Sequence, residues 1–328
     1  MRLAAVLLVV VLLGAGWVAF DLRRPYTGFR GETFIDFPKG TGTLRMAGML
    51  AEAGVIRSRW QFLAARALNP HRTLQAGEYR FEGPAPVLAV FDRIARGDIF
   101  YYELVVPEGR NMFDIGEAAE RLGLFPAAKF VEAARDPSAI RNLVPGARSL
   151  EGYLFPSVYK LSRRTTPRRL TLMMTAKFRE AWRSLGTAAD AQRTVTLASL
   201  IEKEGKLPEE RPLIAAVFEH RLELGMKLDC DPTTIYAALL EGRWRGAIHR
   251  SDLDSGNPYN TYRHAGLPPG PIANPGLASI RAALAPAPGG ALYFVLRPDG
   301  SGGHTFSRDI AGQQAAVVKY RRGVRSSK

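Results

Sequence analysis

The sequence has little with which to build a disulfide or a metal site. It contains a single cysteine, Cys230, which excludes an intrachain disulfide and a zinc site made of several thiolates. The neighbouring Leu228 and Ile235 favour a buried, structural thiol. The histidines show no metal-ligand spacing, so we expect neither a metal nor another cofactor. These histidines are His71, His220, His249, His264 and His304.

Internal repeats, low-complexity tracts and nucleic-acid-binding motifs are also absent. The last absence matters because the chain is basic, with 45 Lys and Arg against 31 Asp and Glu and a net charge of +14. The positive residues are spread, which favours a general surface and solubility feature over an anionic partner such as an acidic membrane surface. We expect no nucleic-acid partner. The 328 residues suit two folded units of globular composition.

Long hydrophobic runs are confined to the start of the chain. Residues 3–20 read LAAVLLVVVLLGAGWVAF without a charge, with Arg2 before them and Arg23 and Arg24 after them. At about 1.5 Å per residue this stretch nearly spans a bilayer. A cleaved signal peptide is the alternative, but the bulky Trp17 disfavours cleavage after Ala19. We expect a retained transmembrane helix over residues 3–20, with residues 1–24 as anchor and flank, and a short polar linker at residues 21–26.

Residues 25–98 and 99–328 differ in organisation. The first segment alternates as a strand at residues 33–37, has helical periodicity near residues 44–53 and 60–67, and returns to a strand at residues 77–81. This predicts a small βααβ module and an overall α+β class. The second segment mixes strands with longer helices. Residues 256–275 are rich in Gly, Pro, Asn and Tyr and predict a long, structured loop.

A helix predicted over residues 194–205 reads TVTLASLIEKEG and carries two carboxylates on apolar faces. On a helical wheel Glu204 falls within the face of Leu197, Leu200 and Ile201, and Glu202 falls on a second, short and apolar face. Burial raises a carboxyl pKa, and a carboxyl protonated near neutral pH can act as a general acid. The alternative is that both glutamates pair with Lys or Arg in a structural network. Spacing alone does not decide which glutamate is the catalyst.

An ordered series of short motifs extends from this helix in both directions. The motifs in chain order are LEGYLFP at 150–156, ASLIEKEG at 198–205, DPT at 231–233, NTY at 260–262, GLPPGPI at 266–272, NPG at 274–276 and GGHTF at 302–306. The series resembles the YceG-like family of endolytic murein transglycosylases from about residue 31 to the C-terminus. In one departure, Ser157 stands where the family commonly has an acidic residue after Phe-Pro.

The resemblance implies a lyase of the inner membrane, single-pass, with its catalytic domain on the periplasmic side. It implies a LysM-like peptidoglycan-binding module at residues 25–98 and a catalytic domain at 99–328, with the catalytic Glu202 on a buried helix. The substrate would be peptidoglycan glycan strands, nascent ones cut internally beside the peptidoglycan synthases, and the products would be 1,6-anhydro ends. The rival interpretations are a muramidase-type hydrolase and a non-catalytic wall-binding scaffold.

Polar residues of the motifs are candidates for holding sugar hydroxyls and acetamides by hydrogen bonds or stacking. The candidates are Glu151, Tyr153, Ser199, Glu204, Tyr236, Asn260, Tyr262 and His304. His304 lies in a predicted Gly-rich turn and has a structural role as its alternative. Asp231, followed by Pro232, is either a helix start or a substrate contact.

Overall fold

The structure is a computed structural model that describes residues 2–326, with side chains described for residues 6–323. The expected flank Arg2 and the apolar Leu3 therefore lie outside the described side chains. The chain divides into two compact units, Met1–Tyr102 and Glu103–Lys328. Both mix helices and strands, which confirms the α+β class.

The first element is a continuous helix, α1, which spans Arg2–Arg23. Within the described residues, its segment Val6–Arg23 is the one helix long and apolar enough to cross a membrane, judged by length and composition. The helix continues through the first part of the predicted linker because its last turn is fixed to the first unit. Leu22 is 2% exposed in that unit's core, and Gln61 Nε2 donates to Asp21 Oδ2 at 2.6 Å.

The first unit is a two-stranded sheet packed against helices. Its further elements are β1 (Thr33–Phe37), α2 (Thr43–Glu52), α3 (Arg59–Leu68), β2 (Gly77–Phe81) and α4 (Val87–Arg96). This confirms the predicted strand–helix–helix–strand order. β1 and β2 pair antiparallel, with Thr33 opposite Phe81. Alternate strand residues face the core, as the pleat requires. These core residues are Ile35, Phe37, Tyr79 and Phe81.

The second unit combines longer helices with short, paired strands. Its first elements are β3 (Tyr102–Val106), α5 (Met112–Arg121), α6 (Ala127–Ala134), β4 (Ser157–Leu161), α7 (Pro167–Ser184) and α8 (Ala191–Glu204). Its later elements are α9 (Arg211–Glu223), α10 (Asp231–Leu240), α11 (Arg250–Leu253), α12 (Leu277–Leu284), β5 (Tyr293–Leu296), β6 (His304–Ser307) and α13 (Ile310–Ser326). β3 pairs with β4, and β5 pairs antiparallel with β6.

Helix α8 is built into the interior of the second unit. It begins after Asp190, whose side chain accepts a hydrogen bond from Arg193 N at 3.0 Å and caps the helix. Residues 194–201 are all buried, and the helix packs against α9, α10 and α12. Its last turn ends at Glu204, so the E-K-E string lies where the buried helix emerges from the core.

The loop between α11 and α12 is held firmly against α8. Among the described residues, 254–276 contain no regular helix or strand, as predicted, yet residues 270–276 are buried. Ile272 N donates to Ser199 Oγ at 3.1 Å. Pro271 packs so closely on Gly152, which has a φ of +88°, that a side chain at Gly152 has no room. The loop therefore forms a fixed wall beside the E-K-E turn.

Candidate active site

Glu202 and Glu204 leave the last turn of α8 in different directions. Residues two apart on an α-helix are separated by about 200° around its axis. The two carboxyl groups accordingly meet different neighbours, and the geometry of each is described in turn.

The Glu202 carboxylate is engaged by donors on both oxygens. Arg211 Nη2, at the start of α9, donates to Oε1 at 3.1 Å, and the side chains of Arg211 and Glu202 are 11% and 6% exposed. Gly276 N donates to Oε2 at 3.0 Å. Gly276 is the N-cap of α12, where the helix dipole adds positive potential. Glu202 thus lies in a part-buried ion pair with an additional backbone donor.

A third acidic residue, Glu108, joins this ion pair from the turn between β3 and α5. Its Oε2 lies 3.8 Å from Arg211 Nη1, and its side chain is 48% exposed. Burial and the neighbouring Glu202 carboxylate raise the pKa of Glu108, whereas Arg211 lowers it. A Cβ on Gly276 would overlap the Glu108 carboxyl, so the close approach of the loop depends on glycine. Glu108 is not among the candidates named from the sequence, although an acidic residue directly after the end of β3 was an available signal.

Glu204 lies on the other side of α8 and borders a cavity of about 390 Å³. Cys230 Sγ donates to Glu204 Oε1 at 3.2 Å. Burial raises the pKa of Glu204, although the bond from Cys230 opposes the shift. The volume is in the ~300–1,000 Å³ range of small-ligand pockets. The site therefore combines a carboxyl that tends to keep its proton with a space for a ligand. Cys230 itself is 2% exposed, which confirms the expected buried thiol.

Two further polar residues of this cavity form a pair. Tyr262 OH donates to Asp231 Oδ1 at 2.6 Å. Burial and the hydrogen bond to Asp231 raise the pKa of Tyr262, so the phenol stays a donor. α10 starts at Asp231, which confirms the expected helix start, but its N-cap is Cys230 and no side chain caps it. Asp231 is thus free of a capping role and faces the cavity with Tyr262.

His304 borders the same cavity and is oriented by Glu210. Its backbone N donates to both Glu210 oxygens, at 2.9 and 3.0 Å, and its Nδ1 lies 2.7 Å from Oε2. Because a carboxylate only accepts, Nδ1 carries the hydrogen in this bond. The expected turn position of His304 is wrong: it is the first residue of β6, since the pairing of Leu296 with His304 extends the hairpin to that point. Glu210 had no motif that could have revealed it.

Glu151 lies in a buried hydrogen-bond network apart from this cavity. Its Oε2 accepts from Met112 N at 2.9 Å, and its Oε1 accepts from Asn274 Nδ2 at 2.8 Å. Tyr236 also bonds to it. Burial raises the pKa of Glu151 to about 8, against the lowering effect of these bonds. Glu151 and Tyr236, 1% and 2% exposed, join the upstream motif to the loop wall and to α10.

The other candidates of the sequence are also buried and structural in their contacts. Ser199 donates to Thr196 O at 2.7 Å and supports the loop. The Tyr153 ring packs edge-on against Phe178 at 5.1 Å. Asn260 Nδ2 donates to the carbonyls of the α11 region, and its Oδ1 accepts from Tyr262 N at 3.1 Å. The structure therefore gathers three candidates around the cavity, and these are Glu204, Tyr262 and His304.

Comparison with known proteins agrees with the ordered motifs. A profile of the YceG-like family matches residues 35–319. An endolytic murein transglycosylase of Bacillus subtilis is 29% identical over 307 residues, covering 87% of this chain and 84% of the relative. An endolytic murein transglycosylase of Streptococcus pneumoniae is 28% identical over 80% of this chain. The match covers 53% of that longer protein, so this chain spans about half of its length.

A solved structure gives the same result. The crystal structure of a YceG-like protein from Listeria monocytogenes aligns with a TM-score of 0.55 and 26% identity, over 87% of this chain and 98% of that one. The family match covers most of the sequence, including the helix with the E-K-E string. The chain belongs to the YceG-like family.

Proposed function

We propose that this protein is an endolytic transglycosylase of peptidoglycan. It cleaves the bond between N-acetylmuramic acid and N-acetylglucosamine within glycan strands and leaves 1,6-anhydro ends. The family and the names of its curated relatives support the reaction class. The observation that carries the local chemistry is the Glu204 carboxyl, whose pKa burial raises and which borders the 390 Å³ cavity.

We assign the acid/base role to Glu204. The assignment of Glu202, which the family resemblance implies, stays a prediction. Geometry supports Glu204 because both oxygens of Glu202 already accept hydrogen bonds, from Arg211 and from Gly276 N. A general acid must also reach the proton acceptor on the substrate. Glu204 is the member of the pair that borders the cavity.

One carboxyl serves both proton transfers in this mechanism. Protonated Glu204 gives its proton to the glycosidic oxygen as the bond from that oxygen to C1 of muramic acid breaks. The acetamido oxygen of the substrate stabilises the cationic C1. The Glu204 carboxylate then takes the proton of the C6 hydroxyl while O6 closes onto C1. Glu204 ends protonated, as it began, and no water is consumed.

The remaining polar groups of the cavity bind the sugar. The Tyr262–Asp231 pair offers an acceptor and a ring face for sugar hydroxyls and acetamides. Glu210 holds Nδ1 of His304, and the rest of the His304 ring is available to the sugar in the cavity. These contacts orient the scissile bond toward Glu204.

Cellular placement is proposed from the family resemblance and from the helix α1. The βααβ unit is a LysM-like module that binds peptidoglycan, and α1 is a single-pass anchor in the inner membrane with both units on the periplasmic side. The length and composition of α1 support the anchor. We further propose that the protein acts on nascent strands beside the peptidoglycan synthases, as the family resemblance implies.

The test uses the full chain in detergent, because Leu22 of α1 belongs to the core of the first unit. Purified uncross-linked peptidoglycan strands are incubated with wild type, Glu204→Gln and the matched control Glu202→Gln. Mass spectrometry identifies the new ends. Anhydro ends that disappear only in Glu204→Gln support the proposal.

The other outcomes each overturn part of it. Loss only in Glu202→Gln returns the acid/base role to Glu202. Water-added reducing ends make the protein a hydrolase. Strands that are bound but uncut by the wild type favour the scaffold.

A further inference from the structure

The junction between α1 and the first unit contains an unassigned groove. It lies between the last turns of α1, at Trp17 and Asp21, and the start of α3, at Arg57, Trp60 and Gln61. Its volume is about 480 Å³. We name this feature the junction groove. The mechanism above uses none of its residues.

Two large aromatic side chains of the junction groove are exposed. Trp17 is 68% exposed and Trp60 is 64% exposed. Tryptophan concentrates at membrane–water interfaces, where its ring contacts the acyl region and its N–H meets the head groups. Two exposed tryptophans in one groove therefore indicate an amphipathic environment.

Two arginines lie at the junction groove, and the Arg57 guanidinium is 5.1 Å from the centroid of the Tyr26 ring. Arg57 lines the groove and Arg59 lies over the Trp60 ring at 5.0 Å. The one acidic residue of the lining, Asp21, accepts a hydrogen bond from Gln61. Exposed arginines beside an apolar surface match the anionic head group of a lipid, since the side chain can extend its charge into the head-group layer.

The groove has a fixed position relative to α1. Two contacts of the last turn of α1 make it part of the first unit. Leu22 packs in the core, and Asp21 accepts a hydrogen bond from Gln61 of α3. Trp17 and Trp60 line the same groove. If α1 crosses a bilayer with Trp17 at the interface, Trp60 lies at the same level.

We propose that the junction groove is seated in the bilayer interface and binds an anionic phospholipid, with its acyl chain against the two tryptophans and its head group at Arg57. This inference rests on the proposed membrane anchor and is independent of the cleavage reaction. The docked face fixes the first unit against the membrane surface. The helix and the groove together would thus hold the protein by two contacts.

The test places the full chain in vesicles of phosphatidylcholine and phosphatidylglycerol whose acyl chains carry bromine, a contact quencher of tryptophan. Trp60→Phe is compared with Trp182→Phe, the same exchange at a tryptophan that is 6% exposed in the second unit. We expect Trp60→Phe to remove about half of the lipid-quenched fluorescence, because two tryptophans would lie at the interface. Trp182→Phe should remove none. Quenching that is equal in the wild type and Trp60→Phe overturns the inference.

The lipid charge is tested with Arg57→Gln combined with Arg59→Gln. In the wild type, bromine on phosphatidylglycerol should quench the Trp60 signal on the order of threefold more than bromine on phosphatidylcholine, because arginine attracts anionic head groups. The double variant should lose this preference. Equal quenching by both lipids in the wild type overturns the assignment of an anionic lipid.

Two controls separate the inference from the proposed function. Failure of the chain to float with vesicles overturns the anchor and the groove together. Flotation with an unquenched Trp60 overturns the groove alone. Glycan cleavage, measured on the same sample, reports on the enzyme independently of either result.

Discussion

The two sides of the last turn of α8 differ in the partners that they offer a carboxyl. On one side, Arg211 and the N-terminus of α12 surround the Glu202 carboxylate with donors. On the other side, burial beside Cys230 raises the pKa of Glu204, and the cavity opens. A separation of two residues is enough to place one carboxyl in a fixed ion pair and the other beside a cavity, with its pKa raised by burial. The same E-K-E letters therefore encode two different physical environments.

The largest expected effect comes from removing the proposed proton donor. Glu204→Gln should lower kcat by about 10³-fold, because general acid–base catalysis contributes roughly 10²–10⁴-fold. The amide keeps the shape of the side chain, so thermal unfolding should change little. Initial rates of anhydro-end formation and a melting curve measure both quantities. A similar kcat loss in Glu202→Gln, without a loss of stability, would remove the distinction between the two sides.

Changes to the Arg211–Glu202 ion pair should mainly lower the stability of the fold. Arg211→Met leaves the buried Glu202 carboxylate without its cation and should lower the free energy of unfolding by about 3 kcal/mol. Adding Glu202→Gln should recover part of this loss, because the uncompensated charge is gone. Urea denaturation of the four proteins gives the coupling energy. A coupling energy near zero contradicts an ion pair that holds the end of α8.

Glu151 is a buried carboxyl that lies on neither side of the last turn of α8, so it shows how burial alone makes stability depend on pH. Burial raises the pKa of Glu151 from 4.5 to about 8, so the folded chain keeps a proton that the unfolded chain loses. This contribution to stability is full below the unfolded pKa of 4.5 and is lost as the pH rises to about 8. Glu151→Gln cannot titrate, so it should lack this decline.

The expected difference between wild type and Glu151→Gln, on going from pH 5 to pH 8, is on the order of 2 kcal/mol. Urea denaturation at both pH values measures it. Glu204→Gln serves as a second reference, since its carboxyl is also buried but borders the cavity. Parallel pH dependence in wild type and Glu151→Gln would show that Glu151 is ionised in the folded protein.

Local patterns predicted the elements better than they predicted the contacts between them. The 3.6-residue periodicity of α8 and the alternation in β1 and β2 arise from neighbouring residues, so the sequence displays them directly. The ordered motifs identified the family for the same reason: they are strings of adjacent letters. The helix α1 was predicted to end before the linker at residue 21, which is too early. It continues to Arg23 because Leu22 packs in a core whose other members come from later in the chain.

The site pairings could not be predicted because they join distant residues. Glu202 meets Gly276 from 74 residues away, and His304 meets Glu210 from 94. No periodicity reports such a contact. Five polar candidates were selected for their hydrogen-bonding groups. In four of them these groups bond inside the protein, as in Asn260 and Glu151, and the Tyr153 hydroxyl is buried without a hydrogen-bond partner. Residue type indicates what a side chain can bond, and packing alone determines which partner it reaches.

The smallest effect concerns substrate binding on the cavity side. Tyr262→Phe removes the hydroxyl that donates to Asp231 at 2.6 Å but keeps the ring. We expect KM to rise about fivefold, since one hydrogen bond contributes roughly 1 kcal/mol, and kcat to change less. Tyr259→Phe is the matched control, because Tyr259 does not line this cavity. Its ring packs against Tyr236 instead, with the two ring centroids 5.2 Å apart. An equal rise in KM for both variants would mean that the loop as a whole, and not the Tyr262–Asp231 pair, positions the sugar beside Glu204.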